Sequence, residues 1–198
     1  MTAPARYHHG DLRAALIARA TEVIATGGVD ALSLRELARD IGVSHGAPGR
    51  HFPDKQALLD AVALNGFGRL RDVLLDALRR RGSDPFADQL VSLATAYVQF
   101  ATGQPSLLAV MFAAKHRRQA PAELRSAVDE TFAAPLQAVR EAQARGEVAA
   151  GPVDEFGTAI LSTMHGYAAL VAGGLLTPDD TAELTTTIRL LVDGLRPR

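Results

Sequence analysis

Residues 33–52 read SLRELARDIGVSHGAPGRHF. Ser33 followed three residues later by Glu36 is a capping-box pattern, and Leu34, Leu37, Ala38 and Ile41 recur at helical spacing along one face. That predicts a helix of about two turns. Gly42 can take the left-handed conformation that ends such a helix, Val43 can plug back into the core, and Ser44 offers an N-cap oxygen for a second helix. A capped helix, a glycine turn, an apolar plug and a second capped helix make a helix-turn-helix, whose second member reads a DNA major groove.

Outward from this stretch the pattern stays helical. Upstream, a short arm from Arg6 to Gly10 precedes a helix whose apolar face is Leu12, Leu16, Ala20, Val23 and Ile24. Gly27 and Gly28 end it, and Val29 and Leu32 complete a small three-helix core. Downstream, Pro53 and Asp54 read as a stop and a cap, and Leu58, Leu59, Val62, Leu70, Leu74 and Leu78 carry a long amphipathic helix to Arg81. Arg79, Arg80 and Arg81 before Gly82 read as ordinary dipole partners and a C-cap. Helices then follow from Ser83-Asp84-Pro85 to Thr102, from Pro105 to Ala114, from Pro121 toward Gly146, from Phe156 to Gly173, and after Thr177-Pro178-Asp179-Asp180. Pro135 predicts a kink or a split in the helix that begins at Pro121. The last has Leu184, Ile188, Leu191 and Leu195 on one face. The expected fold is all-α with about nine helices: a head over residues 1–53, a connecting helix over 54–81 and a helical domain over 82–198.

Composition narrows the function. The 198 residues carry 21 Lys+Arg against 22 Asp+Glu, a net charge of -1, so any DNA contact must come from a local patch rather than a basic coat. Hydrophobic residues make up 47% and charged residues 22%, enough apolar material to bury a core. The absence of cysteine excludes disulfides, thiolate catalysis and Cys-based zinc sites. The start MTAPARYHHGD lacks an apolar signal region, which gives cytoplasm as the expected location. The uncharged runs 89–114 and 156–178 are long enough to span a bilayer, but Gln99, Gln104, Pro105, Ser162, Thr163 and His165 interrupt them, so buried helices rather than membrane spans are expected. No GxSxG, HExxH, P-loop or dinucleotide-binding pattern stands in a supporting context, so no catalytic or metal-binding residues, and no cofactor, are expected.

The segments LSLRELARDIGVSH at Leu32 to His45 and HFPDKQALLDAV at His51 to Val62 resemble TetR-family transcriptional regulators. The order of short head, long helix and helical remainder agrees with that family over the full length. YVQFATGQPSLLAVMF at Tyr97 to Phe112 and MHGYAAL at Met164 to Leu170 are similar to a group whose C-terminal domain carries a His-Gly pair after a tryptophan; Leu161 stands where the tryptophan would be. The resemblance implies a homodimer that binds a partly palindromic operator and, usually, releases it when a small molecule enters the C-terminal domain, and a repressor is the expected role. It also implies that Ser33, Ser44, His45, Ala47, His51 and Lys55 face DNA, with Gly46 in the same segment and Arg35, Arg50 and Arg6 adding backbone or minor-groove contacts. These roles are physically sensible. Ser44, free amides and Lys55 suit phosphate, while His45 and Ala47 can reach base edges or a thymine methyl.

One departure from the family is local. Where an aromatic residue usually stands this chain has Gly49, preceded by Pro48. Glycine costs roughly 1 kcal/mol against alanine inside a helix and proline removes a backbone bond, so a short or frayed reading helix is expected from His45 to Arg50. In the C-terminal domain Phe100, Leu108, Met111, Phe112, Phe132, Met164, His165 and Tyr167 are candidates for lining a ligand cavity. The bland alternative for each is core packing, and for His165 a buried ring bonded to a backbone carbonyl. Ser162, Gly166, Ala169 and Gly173 form a small-residue stripe that, with the leucine face of the last helix, suits a dimer interface of two helices from each subunit. The rival expectation is a small-molecule-binding protein of the same fold with weak or lost sequence-specific DNA binding, of which Gly49 would be the symptom.

Overall fold

The computed structural model describes residues 9–177 and 181–197. Among them are α1 (His9–Gly27), α2 (Leu34–Asp40), α3 (Lys55–Arg81), α4 (Phe86–Gly103), α5 (Pro105–Lys115), α6 (Ala122–Ala144), α7 (Val153–Ala172) and α8 (Thr181–Gly194), with short 3-10 turns at Val29–Ala31 and Pro48–Arg50 and no strand. The ninth helix expected from the sequence is the reading helix, and the 3-10 turn Pro48–Arg50 stands in its place. Arg6 and the Pro178–Asp180 start signal lie outside the described residues.

Two compact units result: the chain up to Gly66 with Ser106–Arg125, and Phe67–Pro105 with Ser126–Arg198. In the first, Leu12, Leu16, Ala20 and Ile24 of α1 are buried, together with Leu37 and Ala38 of α2 and Leu58 and Val62 of α3. Each of the larger side chains among these contributes about 1.5–3 kcal/mol on leaving water. α1 packs on α2, and α2 on the Pro48–Arg50 turn. α5 joins this unit through a close helix approach at Gly66, where an added Cβ would stand 2.6 Å from Sδ of Met111 and 3.2 Å from Cδ1 of Leu107. The ion pair of Arg117 with Asp60 lies in the same unit.

In the second unit α4 packs against both α7 and α8. Phe86, Leu90, Leu93 and Tyr97 of α4 are buried, as are Leu184 and Ile188 of α8, and Arg189 pairs with Asp88 at 2.7 Å. A carboxylate oxygen of Glu147 accepts from the Phe86 amide at 2.5 Å and so satisfies an otherwise orphaned donor at the start of α4.

The split allowed for at Pro135 does not occur, because α6 continues through it. Proline removes one N–H, the usual partner of the Thr131 carbonyl, while buried Val128, Ala138, Val139 and Ala142 hold the turns on either side in place. Thr131 is itself buried, its hydroxyl within 3.1 Å of the Phe67 carbonyl and 2.6 Å of the Ala127 carbonyl. Among the described residues no helix is long and apolar enough to cross a membrane.

Candidate functional site: a nucleic-acid interface and a ligand cavity

The first half of the helix-turn-helix is fixed by its own ends. Ser33 is extended and its hydroxyl accepts from the Glu36 amide at 3.5 Å. At the other end Gly42 has φ of 73°, the Val43 amide donates to the Ala38 carbonyl at 2.9 Å and the Gly42 amide to the Arg39 carbonyl at 3.2 Å. That pair of bonds is a Schellman motif, and it demands the left-handed conformation that glycine tolerates best.

The second half is built differently. The Ala47 amide bonds the Ser44 carbonyl at 2.9 Å, the Arg50 amide the Ala47 carbonyl at 3.2 Å, and the His51 and Phe52 amides both reach the Pro48 carbonyl at 2.9 Å. The N-cap role expected of the Ser44 hydroxyl is not taken up: the 3-10 turn has Ala47 before it and no side-chain cap bond. With Gly46, Pro48 and Gly49 in one short run, backbone entropy and a missing donor outweigh the bonds of an α-helix. Buried Pro48 and Phe52 anchor the segment instead. After it, Asp54 accepts from the Ala57 amide at 2.8 Å and starts α3.

Ser44, His45, Gly46 and Arg50 are exposed, Ala47 and His51 are half-buried, and Lys55, also half-buried, is the first residue of α3. Ser33 is half-buried, and Arg35 lies within the first turn of α2. Some described cations are held in ion pairs and others, Arg13, Arg69 and Arg118 among them, are not. Arg19 pairs with Glu22 and Asp40, Arg71 with Asp72 and Glu130, and Arg189 with Asp88. Arg35, Arg50 and Lys55 make no ion pair with any described residue. Arg35 and Arg50 are also carried by elements packed on each other. The sequence reading passed over Arg13, whose guanidinium carbon lies 5.4 Å from the centre of the Phe52 ring. Nothing in its local pattern signals that contact, which pairs residues far apart in the chain.

The second unit contains a cavity of about 210 Å³. Leu74, Phe86, Leu90, Phe132, Leu136 and Met164 supply most of its apolar wall, and Asp154 and Thr158 its polar groups. Gly157 allows α7 to approach α6, since an added Cβ there would clash with Cδ2 of Leu136. Of the ligand candidates named from sequence, Phe132 and Met164 line this cavity. Phe100, His165 and Tyr167 belong to the same unit but not to its wall. His165 instead meets the Tyr97 hydroxyl, with Nδ1 at 2.8 Å, and burial raises the pKa of that phenol, keeping it protonated and able to donate. Leu108, Met111 and Phe112 sit on α5 in the first unit, where Met111 closes on Gly66. Leu161, the position of the absent tryptophan, does line the cavity. Sequence reasoning missed Asp154, which lies before the helix start it placed at Phe156, whereas α7 begins at Val153 with Pro152 before it; Thr158 lay inside the expected helix and was passed over as an exposed polar residue.

Comparison with known proteins agrees with both halves of this architecture. The family model for bacterial regulatory proteins of the tetR family matches residues 16–62, and that for the tetracyclin repressor-like C-terminal domain matches residues 90–195. A solved structure of a protein with unknown function from Rhodococcus sp. RHA1 is 40% identical, with a TM-score of 0.88 over 98% of this chain and 100% of that one. A TetR family transcription regulator from Marinobacter aquaeolei VT8 shares the fold at 18% identity and a TM-score of 0.76, covering 94% of this chain and 96% of its own. The TetR family transcriptional regulator PfmR from Thermus thermophilus does so at 19% identity and a TM-score of 0.67, covering 92% and 99%. No curated protein matches the chain. With matches over the helix-turn-helix and over more than half of the chain beyond it, the protein belongs to the TetR family of bacterial regulators.

Proposed function

We propose that this TetR-family protein is a ligand-responsive repressor that binds a partly palindromic operator as a homodimer. The observation that carries the reading is that Arg35, Arg50 and Lys55, in and beside the helix-turn-helix segment of a chain of net charge -1, pair with no described carboxylate. A cation that no carboxylate holds is free to meet a phosphate. Ser33 and Ser44 add hydroxyls, and His45, Gly46, Ala47 and His51 present the surface nearest base edges. Residues 1–53 serve as the reading head and 82–198 as the ligand-binding and dimerisation part, joined by residues 54–81. Effector binding then acts through differential affinity for two spacings of the paired heads. Such a repressor works in the cytoplasm and performs no catalysis.

The dimer is proposed to form through α7 and α8. An added Cβ at Gly166 of the small-residue stripe Ser162, Gly166, Ala169 and Gly173 would meet nothing within 4 Å. Leu170 and Leu190 are 43% and 67% exposed on these two helices, which is apolar surface suited to a second copy. A paired head also gains affinity from two half-sites about one DNA turn apart.

Selection of bound sequences from a random duplex pool tests the function. A palindromic motif is expected, bound with an affinity that falls steeply with salt. An unenriched pool would favour the second reading, a ligand-binding protein of this fold with weak, sequence-independent DNA affinity. The 3-10 geometry of Pro48–Arg50 is the observation behind that reading.

A further inference from the structure

The cavity of the second unit has two unlike ends. Leu74, Phe86, Leu90 and Met164 are buried, whereas Asp154 and Thr158 are exposed. The last two are four residues apart and share one face of α7. The Thr158 hydroxyl donates to the Asp154 carbonyl at 2.8 Å, so only its lone pairs remain for a ligand. The Asp154 carboxylate makes no hydrogen bond or ion pair with any described residue. Pro135, also in the wall, has no N–H to offer. The open end therefore presents acceptors and a negative charge, and the closed end presents hydrocarbon.

We propose that the cavity takes a small lipophilic amine, its apolar body among the leucines and phenylalanines and its protonated nitrogen at Asp154. The proposal rests on the reading of this cavity as the effector site and adds the ligand's chemical class. Size sets the scale of the body: about 210 Å³ is larger than the roughly 150 Å³ of an apolar cavity that holds benzene, which allows a phenyl ring with a short alkyl chain. Free amides in the first turn of α7 favour an anion there, but Asp154 and Glu155 occupy that same turn and oppose one.

Three probes with one body separate the possibilities: 4-phenylbutylamine, 4-phenylbutanol and 4-phenylbutyrate, each titrated calorimetrically into the full chain. The amine is expected to bind about fivefold more tightly than the alcohol, a modest preference because Asp154 is exposed, and the acid more weakly than both. Asp154→Asn should bring the amine to the level of the alcohol and leave the alcohol unchanged. Leu161→Trp, which puts a larger ring into the cavity wall, should weaken the binding of all three probes. If that variant does not fold, the Asp154→Asn comparison still decides, because it alters only an exposed side chain. Equal binding of amine and alcohol, or preference for the acid, overturns the amine class while leaving the cavity as an effector site. Binding unchanged by Leu161→Trp, or no binding of any probe, overturns the amine proposal and the effector reading of the cavity together; neither touches the DNA reading, which rests on the duplex selection.

Discussion

The two halves of the helix-turn-helix owe their order to different things. From Ser33 to Val43 each end of α2 is closed by bonds between residues no more than five apart, a serine cap before it and a Schellman pair after it. From Ser44 to Phe52 the backbone makes only tight turns, and what fixes them is the burial of Pro48 and of Phe52, which is 2% exposed. The first half would keep its shape on local grounds; the second depends on the core beneath it. The reading surface proposed for the second half would thus be shaped by tertiary packing, and its conformation could be tuned from Pro48 and Phe52 beneath it.

The largest expected effect comes from removing that packing. Phe52→Ala should cost about 3–5 kcal/mol in urea unfolding and abolish operator binding, since the anchor of the segment and the ring beneath Arg13 go together. A cost under about 1 kcal/mol would mean that the segment carries its own order and that the contrast between the halves is false. Next in size is Gly42→Ala. With φ at 73° a Cβ there strains the backbone by about 1–2 kcal/mol although nothing lies within 4 Å of it, so the loss should appear as a lower urea midpoint with an unchanged slope.

What the sequence showed and what it hid follow the same line. The Ser33 and Glu36 pair, Gly42 as a stop and Asp54 as a cap are local devices, and each stands in the structure at the residue that its chemistry indicated. The Ser44 hydroxyl as a cap fails because capping needs an α-helix to follow, and Gly46, Pro48 and Gly49 do not supply one. Leu108 and Met111 read in the sequence as pocket candidates whose commoner alternative is core packing. Only the close approach at Gly66, far before Met111 in the chain, shows the sulfur packed against a helix backbone. Asp154 and Thr158 gave no pattern because a polar residue at a cavity mouth looks like any exposed residue near a helix start.

A smaller effect is expected at the cap of the first half. Ser33→Ala should cost about 0.5–1 kcal/mol, the low side of the range for a lost N-cap, because its bond to the Glu36 amide is 3.5 Å long. Asp54→Ala should cost more, its bond to the Ala57 amide being 2.8 Å long and charge-assisted. Urea midpoints of the two variants give the comparison directly, and equal losses would show that the closeness of the contact has no bearing on its worth.

Gly49→Ala is the subtlest of these changes and the one that separates the halves most cleanly. Unlike Gly42, Gly49 does not have a positive φ, and an added Cβ would meet nothing within 4 Å. The substitution should therefore stabilise the protein by about 0.4–1 kcal/mol through the lost freedom of the unfolded chain, opposite in sign to the same change at Gly42. If the segment is held short of an α-helix by composition, amide exchange at His45 to Arg50 should also slow in the variant, while in the unaltered protein those amides exchange faster than the amides of α2. Equal protection of both halves in the unaltered protein would show that the 3-10 turn is as firmly ordered as the helix, and the sensitivity of the reading surface to its anchor would then have to come from Phe52 alone.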